Sequence, residues 1–443
     1  MKKGIQLSPP QILVIGFLSV ILFGAILLSM PFSLERGVHL RFLDALFTAT
    51  SAVTVTGLNV IDPGTTFNRF GEIIIMLLIQ VGGIGFMAFA ITIFVLLGKK
   101  IGLKQRLLMQ EGSNQLQMAG VVRLALYILQ ITVGFELIGA ILLALSWHQQ
   151  FGWGEAFYLG IFHSIAAFNN AGFSLFTTSL MNDVGNPLVN FVITSLIIIG
   201  GLGFVVLMEL WNKKFQFRRL SLHSKVTLTV NLILISFGTI ITFLLEYGNS
   251  KTLGPLSIDN KLLASYFQTV TTRTAGFNTL DIGSLTQATL FIYILYMFIG
   301  AASGSTGGGI KVTTMAVLLG SVKSLLRGKR NMELFKRTLS VEQVLRSLTI
   351  IILSLGIVIL STLILDITER GVSFLNIVFE VVSAFGTVGL SMGITPHLSI
   401  IGRIVIITTM FVGKLGPLTI GYALARKEEK EYFRYPEEKM MIG

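Results

Sequence analysis

Eight stretches of about 20 mostly apolar residues divide this chain of 443 residues, at 11–30, 70–97, 124–147, 188–211, 226–245, 288–319, 348–365 and 400–424. That length and character are what a helix needs to cross the hydrocarbon core of a bilayer. Charged residues make up 13% of the chain, about half the share found in soluble domains. There is too little polar side chain to cover two or three soluble domains, so that organisation is excluded. The expected class is an all-α membrane protein of eight transmembrane helices, with both termini on one side. The first stretch follows Lys2 and Lys3 as a signal peptide would. It is too long for a signal core, and Leu28-Ser29-Met30-Pro31 makes a poor cleavage site, so it reads as the first membrane helix. The absence of Cys excludes disulfides, thiolate metal sites and Cys nucleophiles.

The net charge of +12 is distributed by side. The N-terminus, the loops near 98–123, 212–225 and 321–346 and the C-terminal tail together carry 24 Lys and Arg. The opposite side carries 7, against 12 acids. Basic loops stay in the cytoplasm, which places both termini there, in a multi-pass protein of the cell membrane. The basicity is thereby explained as topology, with anionic membrane lipids as its natural partner, and nucleic-acid binding is not needed to explain it.

Four shorter semi-apolar segments lie on the acidic side between alternate spans, at 42–53, 157–168, 262–272 and 374–385. Each is too short to cross and suits a re-entrant half-helix. Each ends in a glycine turn: Thr54-Val55-Thr56-Gly57-Leu58, Asn169-Asn170-Ala171-Gly172-Phe173, Arg273-Thr274-Ala275-Gly276-Phe277 and Gly386-Thr387-Val388-Gly389-Leu390. Ten residues before each glycine stands an aromatic residue (Phe47, Phe162, Tyr266, Phe379), and one residue after it a large apolar one. A further glycine follows 24–28 residues downstream, at Gly82, Gly200, Gly300 and Gly413. Shared offsets in four units define an internal repeat. The implied units are 1–97, 98–211, 212–320 and 321–426, followed by a tail at 427–443.

Non-helical backbone inside a bilayer must be buried in protein or line a cavity, because lipid cannot satisfy its polar groups. Four span–half-helix–turn–span units can surround one axis with every turn facing it. Glycine reaches positive φ there, and a ring of backbone carbonyls replaces the hydration shell of a monovalent cation. The half-helix C-termini, partially negative, point the same way, while Asp44 and Asp259 suit the positive N-terminal ends. The competing reading is that the glycines merely permit close helix packing. It fits the span glycines but leaves the short half-helices unexplained.

On these four turns and on the glycine-rich stretch in the sixth span, the chain resembles the Trk/Ktr/HKT potassium-transporter superfamily, and most closely its KtrB-type membrane subunits. The resemblance implies four membrane–pore-helix–membrane repeats about one potassium pathway, assembled as a homodimer. It assigns Thr54, Val55, Thr56, Gly57, Asn170, Ala171, Gly172, Thr274, Ala275, Gly276, Thr387, Val388 and Gly389 to a selectivity filter, with K+ at the glycines. Gly57, where some relatives carry Ser and favour sodium, points to potassium. Uptake would be passive or sodium-assisted. No cofactor or catalytic residue is implied. The regulatory partner would be a cytosolic ring of nucleotide-binding RCK proteins docked on the basic loops.

The segment from Gly300 to Gly309 has five Gly among ten small residues and cannot hold a mid-span helix, since each Gly costs about 1 kcal/mol relative to Ala. The resemblance makes the resulting loop, Ala301, Ala302, Ser303, Gly304, Ser305, Thr306, Gly307, Gly308 and Gly309, a gate below the filter. The alternative is a fixed kink packed on a neighbouring helix. The resemblance also puts Arg403 beside the pore under the filter, with the gate loop as partner, against the alternative of snorkelling at the outer interface. Lys311 and Lys414 are expected to snorkel toward the cytoplasm. Glu136 has two open readings, an ion pair or a hydrogen bond within the bundle. Arg273, Glu380 and Asn169 are candidates for bracing filter turns from behind.

Two lookalikes fall away. Gly304 to Lys311 is not a phosphate-binding loop, since Ile310 separates Gly309 from the lysine and no strand precedes it. An intramembrane serine hydrolase built on Ser303 needs a neighbouring base, and only His163 among the five His lies deep in an apolar segment. That enzyme and a non-transporting membrane scaffold are the alternative classes.

Overall fold

The computed structural model describes residues 8–85, 121–329 and 332–424, together with 436, 438 and 440. The 97/98 unit boundary, residues 98–120 of the first basic loop and most of the 427–443 tail lie outside them. Among the described residues the first unit comprises α1 (Pro9–Ser29), α2 (Phe42–Val53) and α3 (Arg69–Ile84). The second comprises α4 (Val121–Phe168), α5 (Pro187–Leu202) and α6 (Phe204–Asn212). The third comprises α7 (Leu222–Glu246), α8 (Ile258–Thr271), α9 (Gln287–Phe298) and α10 (Val312–Leu326). A short antiparallel hairpin, β1 (Met332–Leu334) with β2 (Arg337–Leu339), occupies the third basic loop. The fourth unit comprises α11 (Val341–Thr368), α12 (Phe374–Gly386), α13 (Ile400–Leu415) and α14 (Pro417–Leu424).

This is an all-α membrane fold. Helices α1, α4, α7 and α11 are each long and apolar enough to cross a bilayer. Leu232, Ile233, Phe237, Ile240 and Leu244 of α7 are each more than half exposed, an outward face that water would not tolerate at this size. The half-helices are the opposite case. From Phe47 to Val53 every residue of α2 is buried, as is every residue of α12 from Phe379 to Gly386. In the second unit the half-helix is the part of α4 beyond Gly152, whose backbone (φ 76°, ψ 161°) breaks the helix.

The units form a closed cycle. The second helix of each packs on the half-helix of the next: α3 on α4, α5 on α8, α9 on α12 and α13 back on α2. Within three of the units the span glycine lets the second helix close on the half-helix of its own unit. A Cβ on Gly82, Gly200 or Gly413 would collide with the carbonyl of Val53, Phe168 or Phe385 respectively. Each of those carbonyls lies four residues before the turn glycine of the same unit. Gly300 breaks the pattern, for it abuts Gly308 of its own loop.

The second spans correct the sequence expectation. The stretches 188–211 and 400–424 are not straight helices: α5 and α6 meet at 94°, and α13 and α14 at 95°. The bends fall at Gly203 and Gly416, with φ of 91° and 84°, and α3 likewise ends at Gly85 with φ 89°. Such a backbone is available to glycine and strained for other residues. Every one of these breaks sits three residues beyond the span glycine.

Because Gly413 touches backbone, Gly413→Ala should destabilise the fold by about 1–3 kcal/mol, the usual cost of overpacking a tight contact. Gly134→Ala, where nothing lies within 4 Å of the added carbon, should not. Thermal unfolding of the two variants in detergent makes the comparison, and equal melting temperatures would contradict the packing account.

A ring of carbonyls and the loop beneath it

The four turns are built alike. The residue two before each glycine (Val55, Asn170, Thr274, Thr387) has φ between 50° and 69°, and each glycine has φ between 66° and 91°. Three of the four non-glycine residues are β-branched, for which this conformation is an outlier and costs of the order of 1–3 kcal/mol. The strain is offset by ties back to the half-helix. The amides of Thr56, Ala171 and Val388 each donate to the carbonyl five residues earlier, at 2.8 Å. In the first and fourth turns the glycine amide donates to a serine hydroxyl, Gly57 to Ser51 at 3.0 Å and Gly389 to Ser383 at 3.1 Å. These turns therefore spend amide donors inward. The carbonyls of Thr56, Ala171, Ala275 and Val388 accept no hydrogen bond from the described residues.

Those four carbonyls and the four glycines interleave in one circuit. A Cβ on Gly172 would stand 2.7 Å from the Ala275 oxygen, and one on Gly276 2.6 Å from that of Val388. On Gly389 it would collide with the Thr56 oxygen, and on Gly57 with that of Ala171. The turns thus surround a single axis. On the acidic side the ring forms the floor of a cavity of about 460 Å³ that all four glycines line. Asp62 and Asp281 stand in its wall, two carboxylates that the sequence reading passed over. Their signal was the Asp–x–Gly spacing of an Asx turn, since each accepts from the amide two residues on, at Gly64 and Gly283.

On the other side lies the loop between Ile299 and Lys311. It is pressed against three turns at their left-handed residues. The Thr306 hydroxyl lies 3.4 Å from the Asn170 side-chain amide, Gly308 N donates to Thr387 Oγ1 at 3.0 Å, and Gly307 leaves no room for a Cβ against Thr274. The loop is also sewn into the broken second spans. Ala302 N donates to Gly201 O, Phe204 N to Gly304 O, and Gly309 N to Gly413 O. Ser303 Oγ pairs with Thr313 Oγ1, and Ser305 Oγ donates to Ala302 O. Neither serine has an imidazole or carboxylate as hydrogen-bond partner among the described residues.

Two expectations about embedded charges are corrected. Lys311 and Lys414 do not snorkel away from the loop. Lys311 Nζ donates to Gly307 O at 2.7 Å and Lys414 Nζ to Thr306 O at 2.5 Å. Unwinding leaves loop carbonyls without helical donors, and an ammonium with three N–H groups supplies them. Arg403 lies neither under the ring nor on the loop. It pairs with Asp44 at the start of α2 and donates to Leu398 O and Pro396 O, which places it at the N-terminal, acidic-side end of α13. The pair joins the fourth unit to the first, the one junction of the cycle without a connecting chain.

Of the bracing candidates, Asn169 donates to Glu136 Oε1 and to Gln80 Oε1, and Gln80 donates to Glu136 Oε2. Glu136 therefore hydrogen-bonds within the bundle, behind the second turn. Arg273 reaches Asn231 Oδ1 and, at 3.5 Å, Gly300 O. Glu380 accepts from Ser391 Oγ and Thr395 Oγ1.

Comparison with known proteins is consistent with this geometry. Residues 10–435 match the family model described as TrkH, a cation transport protein. The chain is 48% identical to the Ktr system potassium uptake protein B of Bacillus subtilis, covering 100% of this chain and 98% of the relative. It is 40% identical to the potassium/sodium uptake protein NtpJ of Enterococcus hirae, covering 100% and 99%. The solved structure of the potassium transporter TrkH from Vibrio parahaemolyticus superposes with a TM-score of 0.73 at 21% identity, over 96% of this chain and 86% of that one.

The seam pair allows a direct test. Asp44→Asn and Arg403→Met should each lower stability by about 1–3 kcal/mol by leaving a largely buried partner uncompensated. The double variant should lose less than the sum of the two. Strict additivity in detergent melting would show that the pair does not join the units.

Proposed function

The chain belongs to the TrkH family of cation transport proteins, and we propose that within it this protein is the potassium-translocating membrane subunit of an uptake system, built as four repeats of membrane helix, half-helix and membrane helix around one pathway. The observation that carries this reading is the closed circuit in which the unspent carbonyls of Thr56, Ala171, Ala275 and Val388 interleave with Gly57, Gly172, Gly276 and Gly389. A cation entering the acidic-side cavity gives up water and takes these oxygens in its place, as it would in a channel filter. The unpaired carbonyls accept a cation without the cost of a counter-charge, and Asp62 and Asp281 raise its concentration at the mouth.

Beneath the ring the loop from Ala301 to Gly309 is the gate. Its contacts to Asn170, Thr274 and Thr387 close the pathway with backbone and small side chains, so no apolar plug has to be moved aside. Lys311 and Lys414 hold it there through their hydrogen bonds to the Gly307 and Thr306 carbonyls. Opening requires those two lysine bonds and the amide bonds to Gly201 and Gly413 to be given up together.

In the cell membrane the basic loops face the cytoplasm with both termini. The working form is a homodimer resting on a cytosolic nucleotide-binding ring. The support for a second component is the name of the Bacillus relative, a protein of a Ktr system. Sodium assistance is supported by the Enterococcus relative, named for both ions.

Purified protein in lipid vesicles should take up rubidium, with potassium competing more strongly than sodium. Gly276→Asp should abolish or de-select uptake while the protein still inserts. Deleting residues 302–308, or Lys414→Met, should raise flux. Vesicles that take up no rubidium in any of these forms would overturn the reading.

A further inference from the structure

Glu380 lies on α12, nine residues before the fourth turn glycine, and is fully buried. Beyond the turn the chain returns past it. Ser391 and Thr395, both in the wall of the cavity above the carbonyl ring, close a triangle of oxygens with its carboxyl group. Ser391 Oγ donates to Glu380 Oε2 at 2.7 Å. Thr395 Oγ1 meets Glu380 Oε1 on one side and Ser391 Oγ, at 2.9 Å, on the other. Gly393 N also donates to Ser391 Oγ, at 3.0 Å.

Three oxygen–oxygen contacts need three hydrogens, and the two hydroxyls bring only two. Ser391 spends its hydrogen on Oε2, so Thr395 is the donor between the hydroxyls and has none left for Oε1. A proton on Oε1 supplies the third bond. The cycle then runs from Oε1–H to Thr395, from Thr395 to Ser391, and from Ser391 to Oε2. Without that proton Thr395 turns to Oε1, and two hydroxyl oxygens touch with no hydrogen between them. A buried carboxylate is also costly without a positive partner.

Among the described residues no basic side chain fills that role. On α13, Arg403 is taken by Asp44 and Lys414 by Thr306 O. On α11, Arg346, Glu342 and Asp366 are exposed, and Glu369 at its end holds Ser399. On α9, Tyr293 shares a hydrogen bond with Thr242 and Tyr296 donates to Leu234 O. His397 is exposed. The cavity lining holds no Lys or Arg, and its ionisable groups, Asp62 and Asp281, are acids.

We infer that Glu380 is a proton-binding site behind the wall of the entry cavity, protonated in the cation-free protein, and that a monovalent cation captured in the cavity displaces the proton. The inference rests on the reading of that cavity as the cation's entrance. On capture, Thr395 passes its hydroxyl hydrogen to cavity water and takes the carboxyl proton in exchange. The Oε1–H bond breaks, a hydronium ion leaves, and the new carboxylate balances the cation. Thr395 is left donating to Oε1 and Ser391 to Oε2, which frees a lone pair on Ser391. By linkage, capture weakens as pH falls, by up to about tenfold per pH unit.

The test uses the full chain, in detergent for binding and in vesicles for transport. Potassium chloride added to weakly buffered protein should release up to about one proton per chain, the reciprocal of the pH effect, where choline chloride releases none. The infrared band of a protonated carboxyl should weaken on the same addition, and that change should be missing in Glu380→Gln. In vesicles, the half-saturating rubidium concentration should rise toward about tenfold per unit as the outside pH is lowered. Glu380→Gln, whose amide donates to Thr395 as the acid does, should stay at the acid-side value throughout. Potassium that releases no proton from the unaltered chain would overturn the inference, whether or not the variant folds. So would a pH profile that Glu380→Gln leaves unchanged, which would assign the effect to Asp62 or Asp281. Proton release with no rubidium uptake would uphold the site while counting against transport, and uptake without proton release would do the reverse.

Discussion

Inside a bilayer, an unpaired backbone group has no water to turn to. Among the described residues nothing donates to the carbonyls of Thr56, Ala171, Ala275 and Val388, and much of the described structure follows from making that tolerable. The turn amides are consumed by the half-helices they terminate, so donors and acceptors are separated: donors face back into protein, acceptors face one another. A residue such as Val55 is held at positive φ to achieve this, a local cost sustained because the half-helix behind it is buried on every side. The second spans approach closely enough to shield the half-helix ends only because Gly82, Gly200 and Gly413 carry no side chain.

The departures from fourfold repetition are where the chemistry changes. In the third unit the contact that a span glycine makes elsewhere with a half-helix is replaced by Gly300 against Gly308, and the chain between them crosses the inner face of the ring. Its polar backbone is satisfied by borrowing: amides go to carbonyls exposed where α5 and α13 stop, and carbonyls go to Lys311 and Lys414. The breaks in the neighbouring spans and the loop are thus one construction. A straight α5 would offer no free carbonyl at Gly201.

Much of this was legible in the sequence. The apolar stretches, the four half-helix segments and the turn glycines with their aromatic and span-glycine offsets were all there, because each reflects a period or a spacing. The bends at Gly203 and Gly416 were legible too but unread. A second glycine three residues beyond the span glycine recurs in three units, at Gly85, Gly203 and Gly416, yet apolar length alone masks it. The charges were the poorest guide. Arg403 and Lys414 stand in the same apolar stretch, and nothing local says that the first meets Asp44 some 359 positions away while the second meets Thr306. Likewise the hydrogen bond between His163 Nε2 and Ser174 Oγ, 3.0 Å apart, is set by how the chain returns past its own half-helix after the turn, which no periodicity records.

The central claim is that the four glycine turns bind a dehydrated alkali cation through backbone oxygens. Diffraction from crystals of the protein grown with thallium or rubidium tests it most directly, by the anomalous signal of the ion. The account expects a peak on the axis, within ligand distance of the carbonyls of Thr56, Ala171, Ala275 and Val388. A well-occupied ion elsewhere in the protein, with that position empty, would contradict it.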